Sequence, residues 1–276
     1  MSARLSSRFG YRSPVLYSRT PLDDEQIRAV APSVFAEAPH GSRSARYSYI
    51  PTIDVLSALR QEGFQPFMVA QTRTRIADRW DFTKHMLRLR HVSQIDGKEA
   101  NEIILLNSHD GSSSYQLLGG VFVALCLNGL VSGELIEDVR VRHNGDVKGA
   151  VIEGAYEVLK GFERVTQSRD EMKAIDLRPA EAELFAEASI VAKYGDKAPV
   201  TPAQVLAPRR WGDAGSDLWS VFNRAQESLI RGGLEGRSAT GRRQRTRPVQ
   251  GIDQNVGLNR ALWTLAEGMK NLKAAA

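Results

Sequence analysis

Apolar positions along this chain recur first every second residue and later every third or fourth. Residues 1–46 keep neither period for long. Pro14, Pro21, Pro32 and Pro39 interrupt them, and the one short helical pattern, Asp23 to Ala31, opens on acids suited to a helix N-terminus. The stretch reads as an arm wrapped on a domain. Tyr47 to Ile50 reads as a short aromatic strand. A helix from about Thr52 follows, with the Thr52 hydroxyl as N-cap, Ile53, Leu56 and Leu59 on one face, and Gly63 just past its end. Phe64 to Arg75 has strand character, and Pro66 within it argues for an edge position or a late start.

His85 to Ser93 and Ala100 to Asn107 alternate on either side of Asp96-Gly97, a strong hairpin signal. That alternation assigns Leu87 and Leu89 to one face and Arg88 and Arg90 to the other. Asp110-Gly111 marks a further turn, leading into a strand from Ser113 to Leu118. Beyond Gly119-Gly120, the apolar run Val121 to Leu130 reads as a buried helix ending at Asn128-Gly129. The pattern predicts an α+β fold: an antiparallel β-meander with helices packed on one face, followed by a mostly helical C-terminal half.

In that second half, Val151, Ala155, Leu159, Phe162 and Val165 keep helical spacing. So do Leu184, Ala188 and Val191, then Leu218, Phe222, Ala225 and Leu229, and last Val256, Leu262, Leu265, Met269 and Leu272. The expected organisation is an N-terminal arm over 1–46, an α+β core over 47–147, a helical region over 148–232, an arginine-rich loop over 233–252 and a C-terminal helix over 253–276. Trp211, Trp219 and Trp263 sit among aliphatic neighbours and read as core.

Composition changes this picture in two ways. With 42% hydrophobic and 25% charged residues the chain can bury a substantial core, which excludes disorder throughout. Its first residues carry no apolar h-region, and its longest apolar run falls far short of the roughly 20 residues of a membrane span. The expectation is a cytoplasmic protein without membrane contact. The lone Cys126, in an apolar segment, reads as a small core hydrophobe.

Charge is placed unevenly. Arg231, Arg237, Arg242, Arg243, Arg245 and Arg247 face only Glu235 between residues 231 and 248, a surplus equal to the whole net charge of +5. Residues 1–20 add Arg4, Arg8, Arg12 and Arg19 without an acid, so the remaining body is mildly acidic. Basic character concentrated in such segments suits contact with a polyanion. If all six arginines of the loop engaged single-stranded nucleic acid, the salt slope would be on the order of −4. The alternative is a solvated basic linker. A second candidate is the sheet, where Arg73 and Arg75 share parity, as do Arg88 and Arg90, so that a solvent face could display four guanidiniums flanked by Trp80, His85 and Met86. An ordinary polar outer face is the competing reading.

Asn107-Ser-His-Asp-Gly-Ser-Ser-Ser114 is a third candidate. His109, Asp110 and Glu102 together could hold a divalent cation and support a metal-dependent nuclease. Asp-Gly-Ser is, however, turn chemistry first. No second histidine lies at ligand spacing, and no nucleophile elbow, Walker pattern, dinucleotide fingerprint or paired-cysteine zinc site appears. The sequence therefore points to no cofactor, no resident metal and no catalytic residue.

Four segments resemble the phage- and plasmid-borne proteins grouped as domain of unknown function 932. They are Tyr47-x-Tyr49-Ile-Pro-Thr52 with Asp54-Val-Leu56; Ile104-Leu-Leu-Asn107-Ser-His-Asp110-Gly-Ser112; Gly120-Val-Phe122 with Cys126-Leu-Asn-Gly129; and Leu258-Asn-Arg-Ala-Leu-Trp263-x-Leu-Ala-Glu267. The resemblance implies a mobile-element context and carries over no catalytic residue. The order of elements over about residues 44 to 131 is also similar to that of phage single-strand annealing proteins of the Erf and RecT kind. The expectation that follows is a non-specific single-stranded DNA-binding protein, active in annealing or strand protection. Its contacts would be Arg73, Arg75, Arg88 and Arg90 on the sheet and Arg237, Arg242, Arg243, Arg245 and Arg247 in the loop. Uncovered edge strands near Tyr47 and Phe64 add an expectation of homo-oligomerisation. The rival is an anti-defence or anti-restriction protein that binds a host enzyme directly.

Overall fold

An antiparallel sheet organises the first half of the chain. The computed structural model describes residues 14–43, 47, 49–94, 99–123, 128–131, 139–141, 147–209 and 214–275. It divides into two units, the first formed by residues 1–130 and 136–162 and the second by residues 131–135 and 163–276.

In the first unit, β1 (Val15–Tyr17) precedes α1 (Asp24–Val30), whose N-cap Asp23 accepts from the Gln26 amide while the Gln26 side chain accepts from the Asp23 N–H. After a 3-10 turn at Pro32–Phe35 comes α2 (Thr52–Gln61). β2 (Phe64–Gln71), β3 (His85–His91), β4 (Glu99–Asn107) and β5 (Tyr115–Val123) then follow, with β6 (Asn128–Val131) and β7 (Val139–Val141) beyond β5. The pairing order β1-β2-β3-β4-β5-β6, antiparallel in every pair whose register is resolved, is the predicted meander.

Several expectations shift. Tyr47, Tyr49 and Ile50 belong to no strand. The cap of α2 is Pro51, and Gly63 follows the helix at φ +86, a backbone region that glycine enters at no steric cost. β2 stops at Gln71 and is an interior strand between β1 and β3, not an edge. Pro66 is tolerated because β1 reaches only Met68 to Ala70 and the β2–β3 register slips between Pro66 and Met68. The helix expected over Val121 to Leu130 does not form at either described end: Val121–Val123 closes β5, and Asn128–Val131 is β6. Cys126, Asp96-Gly97, Trp211 and the N-terminal Arg4, Arg8 and Arg12 lie outside the described residues.

α3 (Val147–Lys173) begins in the first unit and continues into the second. There α4 (Pro179–Tyr194), α5 (Pro202–Leu206) and α6 (Leu218–Arg231) precede a two-stranded hairpin, β8 (Glu235–Arg237) and β9 (Arg243–Arg245), and the closing α7 (Ile252–Ala274). The second unit's core contains Trp219, Phe222 and Trp263 in mutual ring contact, with centroids 5.4 to 6.2 Å apart, as expected of core tryptophans. Gln226 donates to Asn259 (3.0 Å) and so ties α6 to α7 through a buried amide pair. In α4 the helical period is right and the face is wrong: Phe185, Ala186, Ser189 and Ile190 are buried, whereas Leu184 and Val191 are 60% and 50% exposed. A helix apolar on nearly every side gives periodicity nothing with which to choose a face. No helix among the described residues is long and apolar enough to cross a membrane.

Candidate nucleic-acid interface

Arginines expected to act together fall in different units and different environments. Arg88 and Arg90 share a face of β3, as the alternation requires, but that face is covered: they are 1% and 6% exposed. Glu102 of β4, also buried, accepts from the Arg88 Nε at 2.5 Å and the Arg90 Nε at 2.8 Å, and Arg90 lies 4.4 Å over the ring of Phe67. A carboxylate of the same sheet thus holds both guanidiniums, and they are not displayed to solvent. Arg73 and Arg75 are exposed but lie past the end of β2, in the connection to β3. His85 and Met86 are buried and flank no basic surface.

The stretch read as an arginine-rich loop is ordered as the β8–β9 hairpin. Its register sets Glu235 opposite Arg245 and Arg237 opposite Arg243. Residues two apart on a strand share a face, so Arg237, Arg243 and Arg245 point to one side with Glu235. The intervening Gly236 shows why the hairpin lies where it does: a Cβ there would fall 1.9 Å from the carbonyl oxygen of Pro199, and the Arg237 N–H donates to that same oxygen at 3.0 Å. One side of the hairpin is pressed on the backbone at Pro199, and the other carries the arginines. Gln204 of α5 donates to the Glu235 carbonyl (2.7 Å), and Thr246 fastens the open end through the Leu234 amide.

Arg237, Arg242, Arg243, Arg245 and Arg247 are all exposed. Arg237 donates to the Gly241 carbonyl and Arg245 to the Gly233 carbonyl; among the described residues none of the five pairs with a carboxylate. Arg231 differs, being half-buried at the end of α6 and 2.8 Å from Glu227. Like charges placed directly across a strand pair, as at Arg237 and Arg243, cost stability, so the hairpin holds its charge against its own folding interest.

Two grooves flank the hairpin. One, of about 820 Å³, is bounded by Thr201, Gln204, Glu235, Arg237, Arg243 and Arg245. The other, of about 710 Å³, is bounded by Lys193, Tyr194, Lys197, Arg245, Arg247 and Gln254, and no acid among the described residues lines it. Lys193 was missed in the sequence because a lysine in the last turn of a helix reads as an ordinary complement to the helix dipole, and Lys197 because it stands alone in the connection that follows.

Histidines of the first unit have a different role. Ser33 donates from both its amide and its hydroxyl to Gln71 Oε1, at 3.1 and 2.8 Å. Its oxygen must then accept from His85 Nδ1 at 2.9 Å, which leaves His85 Nε2 an acceptor for the Thr52 hydroxyl, also at 2.9 Å. Thr52 in turn accepts from the Asn107 amide (2.9 Å) and from His109 Nε2 (3.3 Å). This chain has no room for a second proton on His85, and burial pulls that histidine down to about 3, with His109 adding to the shift. The Thr52 hydroxyl, expected as a helix cap, is instead the hub that fixes α2 to β3 and β4.

The cation site suggested for His109, Asp110 and Glu102 is not assembled. His109 is fully buried against Thr52, Glu102 is held by the arginines on the opposite face of β4, and Asp110 serves the turn by accepting from the Ser112 amide (2.9 Å). Burial would raise the Asp110 carboxyl, but hydrogen bonds from Ser112 and Ser108 and the nearby Arg79 outweigh it and hold it below its ordinary value. Among the described residues no group of three or more His, Cys, Asp or Glu side chains could hold a metal ion.

Comparison with known proteins gives a consistent kinship. The model of the family described as "Domain of unknown function (DUF932)" matches residues 39–263. The UPF0380 protein YafZ of Escherichia coli K12 is 55% identical over 267 residues, covering 96% of this chain and 97% of its own. The UPF0380 protein YfjQ of the same organism is 56% identical over 265 residues, with the same coverage of both chains. No solved structure matches the chain.

Proposed function

The chain belongs to the DUF932 family, and for it we propose non-specific binding of single-stranded nucleic acid, single-stranded DNA first, by the arginine hairpin of the second unit. One observation carries the reading: five exposed guanidiniums on and beside a braced hairpin, none of them answered by a carboxylate among the described residues. Planar guanidiniums suit phosphate oxygens and also stack on bases, so a hairpin of this kind can follow a flexible strand without reading its sequence. In a mobile-element setting such binding would serve annealing or protection of single strands. Arg73 and Arg75 remain eligible as auxiliary contacts by their exposure; Arg88 and Arg90, committed to Glu102, do not.

A titration of labelled oligodeoxythymidine at low salt, followed by fluorescence anisotropy, tests this. Wild-type protein is expected to bind and the Arg242→Ala/Arg243→Ala variant to bind weakly; absence of binding by the wild type contradicts the proposal. A second reading, direct capture of a host defence protein, draws on the exposed Leu184 and Val191 of α4. It predicts binding partners that survive removal of the hairpin arginines.

A further inference from the structure

We infer that the groove of about 710 Å³ beside the hairpin takes a phosphate monoester at the end of a nucleic-acid strand, with Lys193 as the group that recognises its second negative charge. The inference rests on the reading of the hairpin as a strand-binding element and names what its neighbouring groove adds.

Three features converge there. The first is charge: Lys193, Lys197, Arg245 and Arg247 all line the groove and, among the described residues, no Asp or Glu does, whereas the groove on the other side contains Glu235. The second is the state of Lys193. Its ammonium donates to the carbonyl of Leu229, near the C-terminal end of α6, and to the carbonyl of Arg247 at 3.3 Å, and it lies 4.7 Å from the centre of the Tyr194 ring. Carbonyls and a ring face orient an ammonium without neutralising it, and burial pulls this one down to about 8. A half-buried cation with no carboxylate partner among the described residues is a cost to the free protein that an arriving anion relieves. The third is size. A cavity of this volume lies within the range of small-ligand sites, roughly 300–1,000 Å³, and so has room for a nucleotide.

An internal phosphodiester carries one charge, whereas a phosphate monoester carries about −1.5 to −2 near neutral pH. Four cations without an acid favour the second. Arg245 borders both grooves, so a strand held on the hairpin can reach the pocket with its end.

The test compares one oligodeoxythymidine in three forms, with a 5′-phosphate, with a 3′-phosphate and with neither, by anisotropy on wild type, Lys193→Met and Lys197→Gln. One phosphorylated form is expected to bind about tenfold tighter than the bare strand. Which form does so identifies the strand end. Lys193→Met should abolish that difference while the bare strand still binds. Lys197→Gln, at an exposed site, should reduce the difference, and it keeps the test open should the Lys193 variant misfold. Equal affinity for all three strands overturns the inference and leaves the hairpin reading standing. If no strand binds, the hairpin reading falls. Calorimetry with thymidine 5′-monophosphate and 3′-monophosphate then decides the pocket alone: heat with either that is lost in Lys193→Met supports it, and no heat with both overturns it.

Discussion

β3 and β9 each carry two arginines spaced i, i+2, and the two pairs have opposite fates. On β3, Arg88 and Arg90 are buried and share Glu102; on β9, Arg243 and Arg245 are exposed and pair with no carboxylate among the described residues. Burying a guanidinium without its counter-charge is costly, so the sheet supplies a carboxylate at hydrogen-bonding distance, and the charge becomes part of the core. The hairpin leaves its guanidiniums in water, where no such partner is required and an external polyanion can replace solvent. Identical local sequence patterns thus serve architecture in one unit and, on our reading, recognition in the other.

Removing Glu102 attacks the structural half of this contrast and carries the largest expected effect. Glu102→Ala should destabilise the first unit by roughly 3–5 kcal/mol in urea denaturation, because two buried guanidiniums lose their shared carboxylate. Alanine at Arg242 or Arg243 should change stability by no more than about 0.5 kcal/mol, as at other exposed sites. Similar costs at both places would erase the distinction.

Acidification probes the first unit through His85. Its folded-state pKa of about 3 lies below the ordinary 6.5, so between those values the unfolded chain holds a proton that the folded chain lacks. Stability is therefore full above pH 6.5 and declines as the pH falls toward 3, by about 2 kcal/mol at pH 5. Thr52→Val, which removes the hub between the histidines, should cost about 1–3 kcal/mol at pH 7. Denaturation midpoints across pH 4.5–7.5 check both; a flat profile would mean that His85 is not confined to its neutral form.

The smallest effect is also the sharpest. Arg237→Glu places an acid opposite Arg243 and should stabilise the hairpin by about 0.2–1 kcal/mol while weakening strand binding. Gain of stability together with loss of affinity would show that the cross-strand arginine pair is kept for binding; a loss of both would show that it is structural.

Much of the first unit was legible because the side-chain period of a strand is rigid. Alternation placed Leu87 and Leu89 opposite Arg88 and Arg90, and β3 and β4 pair antiparallel as predicted. What alternation could not say is whether the arginine face meets water. The signal was present in Glu102, an acid inside β4 beside the apolar run Ile103 to Leu106, which comes opposite Arg90 when the Leu89–Ile103 pairing is extended by one residue. Pro66 misled because its cost depends on which neighbour reaches it, and β1 stops short. In α4, stripes differing by one residue were equally apolar, so only packing could choose Phe185 and Ile190 over Leu184 and Val191. The hairpin was hidden in a stretch with almost no apolar residue, since its order comes from backbone bonds to Pro199 and Thr246 rather than from side-chain burial. Its charge was plain from the sequence, and the groove with Lys193 was not.

That the hairpin guanidiniums meet phosphates is tested directly by the salt dependence of single-stranded DNA binding. For wild-type protein a plot of log affinity against log salt concentration is expected to have a slope of about −3.5, as for five phosphate contacts on a single strand. With Arg242, Arg243, Arg245 and Arg247 all replaced by alanine the slope should flatten to about −0.7. An unchanged slope in that variant, or no measurable binding by the wild type at low salt, would contradict that contact.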